Sequence, residues 1–239
     1  MSSQAQWKLY YWYTPDSVLG VFPGRGEYVR LMFEEAGVAY EDVCKKNNSN
    51  ADLLAFMKGE KPGFPVLAPP IIQQGDFVMS QTPAIMMYLG KIGLFPTGGP
   101  EEEAHAAQLL LTIHDYHFEG NMSCHPVDLH ASYSTQVEEA KVTQKKFCEE
   151  RMGKFLKMFE RTLSQNNGGQ GFLISSKVTY VDVAMLTVLL ATEKQFPEAW
   201  AAQDVPLLKA FKKRMEQRTN IAAYHSSNRY IPFSGYSMM

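Results

Sequence analysis

The sequence predicts two folded parts, a small mixed α/β domain followed by an all-helical one. Three observations carry that prediction. Strand-like and helix-like segments alternate up to residue 91. A Pro- and Gly-rich stretch, Leu-Phe-Pro-Thr-Gly-Gly-Pro at 94–100, then interrupts the pattern. Beyond it the apolar repeats have helical spacing and no strand is evident. The expected organisation is a first domain over 1–93, a linker over 94–100 and a helical domain over 101–239. A chain of 239 residues accommodates one large domain or two small ones.

The elements follow in order. Residues 8–13, Lys-Leu-Tyr-Tyr-Trp-Tyr, are dense in aromatics that suit a pleated surface and predict a strand. Residues 14–24 hold two prolines and two glycines and predict a loop. At 27–36, Tyr28, Leu31, Met32 and Glu35 recur at helical spacing, and Gly37 supplies the stop. Residues 38–43 read as a second strand, which makes a β-α-β unit with a right-handed crossover. A helix at 49–58 opens on Ser49-x-x-Asp52. Short strands are expected at 64–67 and 77–79, joined by a long bend. Thr82 reads as the N-cap of the next helix, with Pro83 at its first position, where a missing N–H costs nothing. Helices are expected at 101–119, 135–164, 179–194 and 207–217, with a loop at 166–171. Thr179-x-x-Asp182 before an apolar run is a capping box.

Composition excludes several classes of function. Apolar residues make up 45% and charged residues 20%, so wholesale disorder is excluded. The net charge of −2 offers no basic surface for a nucleic-acid backbone. Cys44, Cys124 and Cys148 form no disulfide framework and fit a reducing compartment. The N-terminus lacks a signal-peptide pattern, and the most apolar stretch, 181–191, carries Asp182 and is too short for a membrane span. A soluble, cytoplasmic protein is the expectation.

Several residues could carry chemistry. Tyr11 lies late in the first strand, near the end where open α/β sheets place ligands, although Tyr10 and Tyr13 flank it and composition does not choose among the three. Arg25, between Gly24 and Gly26, could pair with a carboxylate or steady the loop. Phe64-Pro65 at a strand start suggests a cis peptide that frees the Phe64 backbone for an extended ligand. Gln81-Thr82 at a helix N-terminus offers free N–H groups and a hydroxyl to a carboxylate. His114, His117, Asp115, Glu119, Cys124, His125 and His130 cluster in sequence but match no standard zinc spacing, and no metal is expected.

Taken together, these segments resemble the cytosolic glutathione transferases over nearly the whole chain. The marks are Lys-Leu-Tyr-Tyr-Trp (8–12), Gly-Arg-Gly-Glu-Tyr-Val-Arg-Leu (24–31), Glu-Glu-Ala-Gly-Val-Ala-Tyr-Glu-Asp (34–42), Phe-Pro-Val-Leu (64–67), Gln-Thr-Pro-Ala-Ile (81–85) and Thr-x-x-Asp (179–182). The aromatic start is similar to the tyrosine-dependent branch of sigma, alpha, mu and pi classes, nearest sigma. The resemblance implies a thioredoxin-like first domain, a helical-bundle second domain and a homodimer. It implies Tyr11 as the catalytic tyrosine, with Trp12 and Arg25 beside it at the glutathione site. It implies that Phe64, ahead of a cis Pro65, pairs its backbone with the cysteinyl unit. Gln81 and Thr82 would hold the γ-glutamyl carboxylate, and Lys58 is the candidate for the glycine carboxylate.

The resemblance further implies that glutathione is a co-substrate and that its thiol attacks a small hydrophobic electrophile. That second substrate would bind in a cleft between the domains, lined by His117 and Phe118 and by the aromatic tail of Tyr230, Phe233 and Tyr236. Alternatives are a glutathione-dependent prostaglandin-type isomerase and a non-catalytic relative, either lens-type or a ligand carrier. The chain departs from the pattern in four places. The loop between Tyr11 and Arg25 is long. Pro83 stands where a basic residue is usual. Leu111 stands where the partner subunit often offers an acid, and no basic or tryptophan partner for the glycine carboxylate is evident.

Overall fold

The computed structural model describes residues 6–15 and 21–238. Residues 16–20 of the expected long loop lie outside the described residues. The chain divides into two compact units. One comprises Met1–Leu94 and Thr219–Pro232, the other Phe95–Arg218 and Phe233–Met239. The segment 219–232, expected in the helical domain, belongs to the first unit.

In the first unit β1 (Trp7–Tyr10), β2 (Tyr40–Asp42), β3 (Ile71–Gln74) and β4 (Phe77–Ser80) form one mixed sheet in the order β2-β1-β3-β4. β1 runs parallel to β2, with Leu9 opposite Asp42, and antiparallel to β3, with Tyr10 opposite Ile71. The parallel pair needs a crossover, which α1 (Gly26–Ala36) supplies. Gly37 at φ 65° ends α1, as its place in the sequence foretold. α2 (Val43–Asn47) begins where β2 stops, so the strand expected at 38–43 is shorter. α3 (Ala51–Met57) starts without the Ser49–Asp52 box. The Ser49 hydroxyl accepts from the Ala51 N–H at 3.2 Å, and Asp52 pairs with Lys61. Tyr10, Val43, Leu53, Phe56, Ile71 and Val78 form one of the buried clusters. Each such side chain contributes about 1.5–3 kcal/mol by leaving water.

The strand expected at 64–67 is absent. Phe64 is 77% and Leu67 84% exposed, so neither belongs to the core of the described residues. The strand lies instead at Ile71–Gln74, inside the expected bend, where Ile71 and Ile72 are fully buried. A two-residue turn led by Gly75 at φ 58° connects it to β4. α4 (Thr82–Lys91) follows, with Gln81 rather than Thr82 as its N-cap.

In the second unit α5 (Pro100–Ser123) extends four residues beyond its expected end at 119. The single helix expected at 135–164 is broken into α6 (Val137–Lys146), a π-helical turn (Phe147–Met152) and α7 (Gly153–Gln165). α8 (Tyr180–Gln195) is buried continuously from Tyr180 to Thr192, as a helix apolar on all sides must be. α9 (Pro197–Ala202) and α10 (Pro206–Glu216) complete the unit. The C-terminal tail is tied to it, since Asn121 Nδ2 donates to the Ser237 carbonyl at 2.7 Å. Among the described residues no helix is long and apolar enough to cross a membrane.

The last helix, α11 (Thr219–His225), is part of the first unit. Asn220 Nδ2 donates to the Glu35 carbonyl at 2.8 Å, near the end of α1. Arg229 pairs with Glu34, and Lys45 Nζ donates to the Arg229 carbonyl at 2.7 Å.

Candidate functional site

Tyr11 follows β1 directly and is 5% exposed. The backbone N–H of Arg25, at the start of α1, donates to Tyr11 Oη at 2.9 Å. The phenol oxygen is thereby an acceptor, and among the described residues no acceptor takes its own hydrogen. This close approach explains the Gly-Arg-Gly string. A Cβ built on Gly24 would lie 2.1 Å from Tyr11 Oη, and one on Gly26 2.6 Å from Tyr11 Cγ. Gly24 also holds φ 48°, which favours glycine. The Arg30 guanidinium stands 5.7 Å from the Tyr11 ring centre. Burial pushes the Tyr11 hydroxyl above its ordinary pKa, against the lowering effects of the Arg25 N–H and Arg30. At neutral pH the group is a protonated donor.

The other two tyrosines are engaged elsewhere. Tyr10 packs edge-on against Phe56 and donates from its hydroxyl to Gln73 Oε1 at 2.7 Å. Tyr13 is held through its backbone: its N–H donates to Asn50 Oδ1 at 2.9 Å, and Asn50 Nδ2 donates to its carbonyl at 2.8 Å. Trp12 is half-buried against the Tyr10 cluster. The side chain of Arg25 is half-buried.

The start of α4 is open. Gln81 is exposed and holds φ 75° and ψ 107°, an uncommon conformation for a residue with a Cβ, and no side chain caps the helix. The N–H groups of Thr82 and Ala84 have no partner within the helix, and Pro83 has none to offer. A groove of about 710 Å³ runs past this end, lined by Phe64, Pro65, Met79, Ser80, Gln81 and Ala84. Thr82 itself is 2% exposed.

The expected cis peptide at Phe64-Pro65 is corrected by the structure. The cis bond joins Pro69 and Pro70. Continuing the β1–β3 register past Tyr10 and Ile71 sets Pro70 opposite Tyr11, whereas Phe64 lies seven residues before β3. The backbone entering β3 beside Tyr11 is therefore Pro69-Pro70. Proline lacks an N–H, so Pro69 offers an extended ligand its carbonyl alone. Counting back from the buried Ile-Ile pair would have found this position.

The remaining candidates are scattered. Lys58 is an exposed C-cap of α3. His117 is 1% exposed while its neighbour Phe118 is 48% exposed, because adjacent residues of α5 point to different faces. Phe233 is buried, and the Tyr236 hydroxyl hydrogen-bonds Ser132 at 2.6 Å. Of the histidine-rich stretch, Glu119 holds Arg151 at 2.7 Å and His125 Nε2 meets Ser237 Oγ at 2.5 Å. Among the described residues, no three His, Cys, Asp or Glu side chains gather as a metal site. The three cysteines are free.

Residues 125–228 match the family "Glutathione S-transferase, C-terminal domain". A glutathione S-transferase of Plasmodium yoelii yoelii is 26% identical over 204 residues, covering 84% of this chain and 88% of that protein. Glutathione S-transferase P of Bos taurus is 25% identical over 229 residues, with 92% and 98% covered. Glutathione S-transferase P 1 of Xenopus laevis is 27% identical over 221 residues, with 90% and 93% covered. The solved structure of an Onchocerca volvulus pi-class glutathione S-transferase superposes with a TM-score of 0.69 at 20% identity, over 92% of this chain and 91% of that one. These likenesses over most of the chain support a cytosolic glutathione S-transferase. The bovine and Xenopus relatives are named P and the Onchocerca volvulus structure pi-class, whereas the sequence motifs resembled sigma most.

Proposed function

We propose that the protein is a glutathione transferase in which Tyr11 activates the thiol. The observation that carries this reading is the Tyr11 hydroxyl. It accepts the Arg25 N–H, is protonated at neutral pH, and keeps its hydrogen for a sulfur. A free thiol has a pKa near 8.5 and is mostly protonated at neutral pH. A phenol hydrogen bond stabilises the thiolate. The sulfur then attacks an electrophilic carbon, forming a C–S bond as the leaving group departs with its electron pair. The thiol proton passes to solvent.

In this reading the open start of α4, with Gln81 and Thr82, takes the γ-glutamyl carboxylate. The Pro69 carbonyl accepts from the cysteinyl N–H in the role first expected of Phe64. The electrophile is a small hydrophobic molecule, and the compartment is the cytoplasm. The working form is a homodimer. The exposed Phe64 and Leu67 supply apolar surface for a partner, and light scattering at monomer mass would refute the dimer.

The test is Tyr11→Phe, which keeps the ring and removes the donor. A hydrogen bond to an anion is worth about 1.5–3 kcal/mol, so the bound thiol should titrate about one to two pH units higher. Conjugation of an aryl halide at neutral pH should fall roughly 10- to 100-fold, with glutathione affinity little changed. Full activity in Tyr11→Phe, or its loss in Tyr13→Phe alone, would overturn the assignment. Retention on a glutathione resin and release by free glutathione would separate the enzyme from a lens-type relative.

A further inference from the structure

Arg30 has no part in the chemistry above, yet it is 2% exposed. Burying a guanidinium is costly unless every side of it is paired. Its Nε donates to Asp42 Oδ2 at 2.7 Å, at the end of β2. Its Nη1 donates to the Pro23 carbonyl at 3.0 Å and reaches Glu27 Oε2 at 3.4 Å. The Tyr11 ring centre is 5.7 Å away. One cation thus touches both supports of Tyr11: the face of its ring, and the loop whose Arg25 N–H is bonded to its hydroxyl.

Glu27 is fully buried, and the Tyr224 hydroxyl donates to its Oε2 at 3.2 Å. Its Oε1 has no partner among the described residues. Burial pushes Glu27 up to about 7, against the pull of Arg30 and Tyr224. Burial pulls Arg30 down, but Asp42 and Glu27 outweigh it and hold the cation above its ordinary value. Tyr224 comes from α11, so a residue 197 positions from Glu27 in sequence completes the arrangement.

We propose that Arg30 is a positioning residue for Tyr11 and that Tyr224, acting through Glu27, holds Arg30 in place; this rests on Tyr11 being the thiol donor. Here the fork is divided among a strand end, the loop before α1 and the first turn of α1. Only a planar, multiply donating group can do that, so lysine is not an equivalent.

A double-mutant cycle separates positioning from mere stability. The readout is the pH titration of the thiol in the glutathione complex, taken with kcat and KM for an aryl halide. Arg30→Lys should raise the thiol titration by about one pH unit and lower kcat at neutral pH about 10-fold, with KM for glutathione nearly unchanged. In the Tyr11→Phe background the same substitution should cause no further shift. Tyr224→Phe should follow the same pattern at about 3-fold, and it decides the question if Arg30→Lys does not fold. Equal effects in both backgrounds, or an unmoved thiol titration in folded Arg30→Lys and Tyr224→Phe, would overturn the proposal while leaving Tyr11 intact. A thiol titration unmoved by Tyr11→Phe itself would overturn the donor reading and this proposal together.

Discussion

The two units start their helices in opposite ways. In the helical unit, α8 closes on itself. Asp182 Oδ2 accepts the Thr179 N–H at 2.7 Å and the Thr179 hydroxyl at 2.8 Å, while Asp182 Oδ1 accepts the Leu173 N–H at 2.8 Å. In the first unit, α1 and α4 have no side-chain cap. The residue opening α1 gives its N–H to a phenol, and α4 begins beside a groove that Gln81 and Ala84 line. A capped start contributes stability. An uncapped one leaves donors and a positive dipole end for something else to use.

Breaking the closed start should have the largest effect. Asp182→Ala removes three accepted hydrogen bonds from a fully buried site and strands two backbone N–H groups. A loss of about 3 kcal/mol is expected, with turnover per folded molecule unchanged. Urea unfolding combined with kcat corrected for folded fraction checks this. A fall in kcat without a fall in stability would mean that the two units do not divide the work in this way.

The buried acids sharpen the contrast through pH. Burial raises Asp182 from 3.8 to about 6 and Glu27 from 4.5 to about 7. In both cases the folded state keeps its proton to higher pH than the unfolded chain does. Between the two values the native state binds more protons, so stability falls as pH rises. For Glu27 the decline begins near its unfolded value of 4.5 and is complete above about 7. Glu27→Gln should remove roughly 2–3 kcal/mol of the stability difference between pH 4 and pH 8, whatever it does to absolute stability. Unfolding curves at the two pH values measure it, and an unchanged difference would show that Glu27 does not titrate in this window.

Local signals in the sequence identified the closed features and missed those that depend on distant partners. Thr179 and Asp182 lie three apart and form the box that their spacing promised. Gly37 ended α1 for the same local reason. The approach of Tyr11 to the Gly-Arg-Gly turn was reachable because the strand, the turn and the helix are consecutive. By contrast, Pro69-Pro70-Ile71-Ile72 looks like a bend until β1 is placed beside it, since only the pairing of Tyr10 with Ile71 makes it a strand. Phe64 and Leu67 have the composition of a strand but stay largely exposed among the described residues. Arg30 is one more polar residue in a helical pattern until Asp42 and Tyr224 arrive from elsewhere. The break of 135–164 at a π turn leaves no mark in its apolar spacing.

The smallest predicted effect tests whether the open start of α4 is kept open at a cost. Gln81 holds φ 75°, where a side chain costs about 1–3 kcal/mol, and glycine would be at ease. Gln81→Gly relieves that strain but adds roughly 0.5–1 kcal/mol of backbone freedom lost on folding. The net expectation is a gain of about 1 kcal/mol in stability, read from urea unfolding. If the strained backbone and the Gln81 amide serve the γ-glutamyl carboxylate, glutathione affinity should fall about 3- to 10-fold in the same variant, or about 0.7–1.4 kcal/mol by calorimetry. The matching change at α8, Thr179→Gly, should do the reverse. Thr179 sits at an unstrained φ of −118°, so losing it can only weaken the box, and glutathione affinity should not move. A Gln81→Gly protein that gains stability and binds glutathione as before would mean that the positive φ is a cost without a use, and that the helix end alone holds the carboxylate.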